Sequence, residues 1–582
     1  MSDLSEAVER LTRSVADLQS RVSALENPAR TLPPLPAPPV LSAPAASAAA
    51  AEAPSFAGGA GIFPVLGKAM LGIAGAYLLR AVVQSAALPR APVVVVAIAY
   101  AVLWLVPAAR APAKAWFAGA AWAGTSALIL IPMLWELTLR FRILPSAVAA
   151  SILSIWAIAA SALVWKRHSA AVAGTVYTAA SLAALVLAVA TRDPAPFLFA
   201  LLAIAFVGEV AAAGHRALRV RPVIAAAADL AVFALIWIYS SPAASHADYP
   251  AIAVPVLLAF APALLLIYGA SAAAQTLLLG RGISFFEIAQ ALMAALLTVW
   301  TVFAFRPGHG PLVLGVLCLM ASAAGYAVAF AWFDRLHAQR NYHVYATGSL
   351  ALFLAGTFLC LRPGWLPVCL GLFAVGAILF GVRTARDTLQ FHGLALLAAA
   401  AYSSGLFAYI VGAMAGASPA APGWIVSLAC ASAVLCYAAV ARPASPRSGL
   451  DERWRWLLGS GLAGLAVAAT TALLVWIAIW ILARFTAAGV APPAEHIAVI
   501  RTLVACAAAL ALAWCGSGWQ RRELVWLAWA TLTCIAFKLL FEDLRHGHLG
   551  FTAASIFLFA VTLLLVPRLL RVRSRAASDN PS

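Results

Sequence analysis

The sequence predicts an all-α protein. It reads as a polytopic transmembrane helical bundle of about 18 spans, built from repeated helix hairpins behind a short N-terminal coiled-coil helix. Three observations predict this. Of 582 residues, 64% are hydrophobic and 10% charged, and the mean hydropathy is +0.95. A soluble domain carries about 25% charged residues, and a soluble fold has too little interior to hide this much apolar surface. The apolar residues fall in runs of about 20, the length that crosses a bilayer as a helix. The cations fall mostly in the short gaps between runs. A soluble enzyme, a secreted disulfide scaffold and a disordered chain are excluded, and the lipid bilayer is the expected partner.

The first residues are polar and periodic, so no signal peptide is expected. Leu4, Leu11, Leu18 and Leu25 recur every seven residues, and Val8, Val15 and Val22 do the same, offset. Valine at a and leucine at d favour a parallel two-stranded coiled coil. Residues 1–27 are therefore expected to join two copies into a homo-oligomer. The e and g positions (Thr12, Ser14, Gln19, Arg21) offer few cross-strand charge pairs, so an amphipathic helix lying on the membrane or against the protein's own body is the alternative. Asn27-Pro28 ends the helix. Residues 28–60 are rich in Pro and Ala, the composition of an extended, semi-rigid linker.

Residues 61–570 form the multi-span region and 571–582 a basic tail. Cutting the apolar runs at charges, Pro and Gly gives spans at 64–87, 92–108, 116–138, 144–165, 170–190, 195–213, 222–240, 251–278 and 283–305. The series continues at 311–333, 343–361, 365–382, 390–414, 423–441, 456–483, 496–515, 524–541 and 549–567. With a cytoplasmic N-terminus, the cytoplasmic gaps and tail hold 22 Lys and Arg and the opposite gaps hold 8. That asymmetry follows the positive-inside rule. It places both termini in the cytoplasm and explains the net charge of +17 without a nucleic-acid partner.

Arg306-Pro307-Gly308 with Pro311, Leu314 and Gly315 reappears as Arg362-Pro363-Gly364 with Pro367, Leu370 and Gly371, each offset by 56. Prolines opening the inward-returning helices (92, 145, 194, 250, 311, 367 and 422) are spaced by 53, 49, 56, 61, 56 and 55. Proline is tolerated in a first helical turn, and the expected unit is a two-helix hairpin.

Ionisable side chains inside spans are costly and so become functional candidates. Toward the outer face lie Arg80, Glu136, Arg501 and Lys538, with Glu542 and Asp543 at the end of their helix. Toward the inner face lie Lys68, Glu209, Asp229 and Glu287, with Gln290 one turn from Glu287. They read either as a polar cavity between helices or as interhelical pairs and snorkelling ends. Lys538 and Glu542 are spaced for a local i, i+4 pair.

The eight cysteines lie in or beside apolar runs without a CxxC pair, and they read as small apolar filler. Gly459, Gly461 and Gly464 match GxGxxG within an apolar helix, where close helix packing is expected rather than dinucleotide binding. His546-Gly547-His548 offers two ligands, too few for a metal site. No metal or cofactor is expected.

The N-terminal heptad helix and Pro/Ala linker precede a first span reading Leu66-Gly67-Lys68-Ala69-Met70-Leu71-Gly72-Ile73-Ala74-Gly75, with Arg80 after it. Near the other end stands Ala536-Phe537-Lys538-Leu539-Leu540-Phe541-Glu542-Asp543-Leu544, followed by a final apolar helix. Together these features resemble the bacterial predicted membrane proteins grouped as domain of unknown function 2339. Leu540 stands where those proteins often carry an aromatic. The resemblance implies a bacterial inner-membrane location and many helices, and it brings no catalytic residue.

Three function classes are consistent with these features. The first is a transporter-like or channel-like bundle, from the buried charges and the repeat. The second is a structural or assembly scaffold of the envelope, from the heptad helix. The third is a membrane enzyme acting on lipid-linked substrates, which ranks last because no gap between spans is long enough for a soluble catalytic domain.

Overall fold

The computed structural model describes parts of 65–75 and residues 90–112, 116–165, 170–214, 220–241, 248–336, 338–415, 419–441, 452–485, 493–543 and 549–578. The heptad helix 1–27, the linker 28–60, Arg80 and His546-Gly547-His548 lie outside these residues.

The described residues are helical, with no strand among them. In chain order the helices are α1 (Arg90–Leu103), α2 (Leu105–Arg110), α3 (Trp116–Trp135), α4 (Ser146–Trp165), α5 (Ala170–Thr191), α6 (Pro194–Ala213), α7 (Arg221–Ser240), α8 (Val254–Ala273) and α9 (Phe285–Phe305). There follow α10 (Gly310–Val328), α11 (Gln339–Cys360), α12 (Leu366–Thr384), α13 (Asp387–Ser403), α14 (Leu406–Ala415), α15 (Trp424–Ala441), α16 (Glu452–Phe485), α17 (Ala494–Gly518), α18 (Arg522–Lys538) and α19 (Leu549–Ser578). Single π-helical turns close α3 (Glu136–Arg140), α8 (Ala274–Leu278), α10 (Ala329–Phe333) and α18 (Leu539–Asp543).

Among the described residues, 14 helices are long and apolar enough to cross a membrane, or 15 with one bent pair counted as a span. The architecture is that of a multi-pass membrane protein. The expected spans at 92–108 and 144–165 correspond to shorter apolar stretches, Val94–Arg110 and Ser146–Ala162. The span 64–87 falls mostly outside the described residues. The span 390–414 is broken: α13 and α14 meet at 65°. Gly405 at the break has φ +76°, a left-handed conformation that glycine adopts without a Cβ penalty. Beyond residue 570, α19 runs on to Ser578, so the first part of the basic tail continues the last helix.

One apolar core joins α1 through α9 around Trp156, Phe197 and Phe260. A second joins α11, α12, α13, α15 and α16 around Leu370, Ile378 and Leu458. A third joins α16 through α19. Without a hydrophobic drive in lipid, helices associate by close packing of small residues. The hairpins α10–α11 and α12–α13 pack most extensively, and glycines permit it. A Cβ on Gly356 would lie 2.8 Å from the Gly315 carbonyl, and one on Gly393 would lie 2.4 Å from Ile378.

The two sequence-related helices α10 and α12 begin alike, with Pro311 and Pro367 in the first turn. Their matching glycines meet different partners: Gly315 faces Cys360 and Leu359 on α11, and Gly371 faces Ser432 on α15. The GxGxxG glycines are packing positions, with Gly459 against Glu523, Gly461 against Leu394 and Gly464 against Leu527.

Candidate functional site

The site grows from the turn between α6 and α7. Glu209 lies one turn before the end of α6, a helix buried on most of its faces. Arg221 opens α7, with Pro222 in the second position. The short connection brings Arg221 back beside Glu209. Its Nε donates to Glu209 Oε1 at 3.0 Å and its Nη2 to Oε2 at 2.6 Å. This two-pronged guanidinium–carboxylate pairing is the strongest hydrogen-bonded form of an ion pair. The side chains are 15% and 6% exposed, so the pair is withdrawn from solvent.

α8 and α9 complete the site. Ser271 donates its hydroxyl to Glu209 Oε2 at 2.5 Å, and Gln275, in the π turn of α8, donates to Ser271 at 3.1 Å. Glu287 reaches the same Arg221 Nη2 at 3.7 Å. Its position follows from the sequence Ser284-Phe285-Phe286-Glu287, which forms a reciprocal capping box at the start of α9. The Ser284 amide donates to Glu287 Oε2 at 2.7 Å, and the Glu287 amide donates to Ser284 Oγ at 3.3 Å. The Phe286 ring lies under the Arg221 guanidinium at 5.0 Å.

Arg281 borders the site, with Nη1 on the Ala212 carbonyl at 3.1 Å and Nη2 toward that of Ala213 at 3.4 Å. A cation at a helix C-terminus complements the helix dipole. Two turns into α7, about 12 Å from Arg221 along the axis, stands Asp229. Gln290 on α9 donates to both of its carboxylate oxygens, at 2.9 and 3.0 Å. Among the described residues no cation forms an ion pair with Asp229. Tyr268 on α8 is 4% exposed, and its hydroxyl has no hydrogen-bond partner among the described residues.

A second cluster joins α14, α17 and α18. Arg501, 2% exposed, donates through Nε to the Ala413 carbonyl at 2.7 Å and through Nη1 to Glu542 at 3.0 Å. Lys538 donates to the Ala498 carbonyl at 2.8 Å and to Thr502 at 2.9 Å. Its i, i+4 contact with Glu542 is longer, 3.9 Å, so Glu542 is chiefly the counter-charge of Arg501.

Of the ten candidate residues, the structure thus brings Glu209 together with Glu287 through Arg221, and Arg501, Lys538 and Glu542 with one another. Asp229 joins Gln290 between the helices that carry the first group. Glu136 stands elsewhere, half-buried in the π turn after α3. Lys68 is exposed, Asp543 ends the π turn after α18, and Arg80 lies outside the described residues.

Sequence reasoning missed Arg221, which reads as one more gap cation. Its signal was an Arg-Pro helix start one loop after an intramembrane glutamate. Ser271 and Gln275 carried no signal, because neutral polar residues are common in helices. Buried His392 on α13, with Nδ1 3.0 Å from the Tyr326 hydroxyl on α10, was also missed among the gap histidines.

In charge terms the first site holds three carboxylates, Glu209, Glu287 and Asp229, against Arg221 within it and Arg281 at its border. Such a set can hold a proton or a small cation between helices and can exchange it when the pairing changes. Compared with models of protein families, with curated proteins and with solved structures, the chain matches none.

Proposed function

We propose that the protein is a transporter-like or channel-like bundle of the bacterial inner membrane, with about 18 spans and both termini cytoplasmic. Its path runs along the polar residues between α6, α7, α8 and α9. The observation that supports this most is Asp229, a carboxylate midway along a membrane-length helix, held by an amide rather than a cation. Ionisable groups at such depth mark ion pathways and proton relays. The resemblance to domain of unknown function 2339 supports the location and is silent on activity.

The test is flux. The full-length protein is reconstituted in vesicles, and gradients of proton, sodium, potassium and chloride are imposed in turn. Movement of one ion well above protein-free vesicles, reduced at least tenfold in Asp229→Ala, is expected. Flux equal to that of empty vesicles for all four ions overturns the reading.

A second reading is an envelope scaffold that oligomerises through residues 1–27. It is supported by the valine and leucine heptads, which lie outside the described residues. Deleting 1–27 should abolish crosslinked oligomers, and unchanged oligomers would remove it.

A further inference from the structure

Three facts about one interhelical space point to a specific occupant. Asp229 faces the Gln290 amide and, among the described residues, no cation. The neighbouring carboxylates Glu209 and Glu287 share Arg221, so that guanidinium is already engaged twice. Tyr268, on α8, which packs against both α7 and α9, keeps a buried hydroxyl with no hydrogen-bond partner among the described residues. A buried hydroxyl without a partner is costly.

We infer that Asp229 is a proton-binding site, alternating between a carboxylate held by Gln290 and a neutral carboxyl that turns its new O–H toward the Tyr268 oxygen. This rests on the transporter-like reading and names the ion that it moves. The step balances simply: one proton is taken up, one O–H bond forms, one negative charge is lost, and the proton leaves by the reverse. A bound metal ion fits less well. Hard cations take about six or more oxygen ligands, whereas the face of Asp229 toward α9 is filled by an N–H donor.

Four elements pack against α7, namely α5, α6, α8 and α9. Their ionisable groups are Tyr177, Glu209, Tyr268 and Glu287, with Arg221 and Tyr239 on α7 itself, the latter donating to the Pro250 carbonyl. Tyr177 is hydrogen-bonded to Ser161, and Glu209 and Glu287 are bound to Arg221. Asp229 is thus the carboxylate of the group with no positive partner, the one whose protonation breaks no ion pair.

The experiment is infrared difference spectroscopy of the purified full-length protein in lipid nanodiscs, stepped from alkaline to acidic pH. A protonated-carboxyl band that is absent from Asp229→Asn but retained in Glu209→Gln and Glu287→Gln is expected. The same band persisting in Asp229→Asn overturns the inference. Gln290→Leu keeps Asp229 and removes its donor, so the band should appear at a pH higher by about one unit; an unmoved midpoint also counts against it. Monodisperse elution of each variant checks folding. Titration without vesicle flux leaves the proton site standing and removes the transport reading, whereas flux without titration of Asp229 does the reverse.

Discussion

The side chain of Asn341 fastens both ends of the peptide pair around Gly282: its Oδ1 accepts the Ile283 amide and its Nδ2 donates to the Arg281 carbonyl, each at 2.9 Å. Asn341 is 4% exposed at the start of α11. One amide thereby ties the α10–α11 hairpin to the segment between α8 and α9. That segment also carries Arg281, on the end of α6, and leads into the Glu287 cap. Thr276 and Tyr345, hydrogen-bonded at 2.7 Å, reinforce the same junction. The position of Glu287 beside Arg221 therefore depends on a residue more than 50 positions away in the chain.

Replacing Asn341 by Leu leaves the buried Ile283 N–H without an acceptor and should cost about 2 kcal/mol. Thermal unfolding in detergent would read this as a lowered Tm. Asn341→Asp keeps the acceptor and should lose less. Equal Tm values for wild type and Asn341→Leu would show that the junction is not stabilising.

Arg221→Met strands two carboxylates in the interior and should destabilise by about 3–5 kcal/mol. Adding Glu209→Gln removes half of the stranded charge, so the double variant should be more stable than Arg221→Met alone. A Tm comparison across the cycle measures the coupling. Strictly additive losses would mean that the pair acts as two independent surface charges.

Glycine effects should divide by position. Gly393→Ala places a methyl 2.4 Å from Ile378 and 3.1 Å from the Ala374 carbonyl. Backbone and a branched side chain cannot both yield, and a cost of about 2 kcal/mol is expected. Gly376→Ala, on the same hairpin, meets nothing within 4 Å and should shift stability by under about 0.5 kcal/mol. Similar effects at both positions would argue against a close α12–α13 crossing in lipid.

Reporter fusions after Arg110, Pro145 and Arg575 should read cytoplasmic, periplasmic and cytoplasmic, following the charge asymmetry of the gaps. A reversal at any one of them breaks the 18-span arrangement, because a single missed crossing inverts every segment beyond it.

The helices themselves were legible, since a membrane imposes length and apolarity directly on sequence. What was hidden has physical reasons. The bend between α13 and α14 lies in a continuous apolar run, and only Ser403-Ser404-Gly405 marks it. The π turns are set by one extra backbone residue per turn, which leaves no compositional trace. At the site, carboxylates were conspicuous because charge is rare within spans. Arg221 was not conspicuous, because the rule that orients the chain also explains any arginine in an inner gap. Pairing across helices depends on which faces meet, and hydropathy says nothing of faces when a helix is apolar all round.

α14 is ten residues long, about 15 Å, half of a bilayer core. The last carbonyls of a helix have no partner within it, and Ala413, in the last turn of α14, is fully buried. Arg501 meets that end by donating to the Ala413 carbonyl. Its guanidinium is in effect a fixed solvent molecule, supplied by α17, with its charge balanced by Glu542. On this view Arg501 and Glu542 anchor a short helix to its neighbours, and removing either should loosen α14 from the bundle before it alters any ion's route.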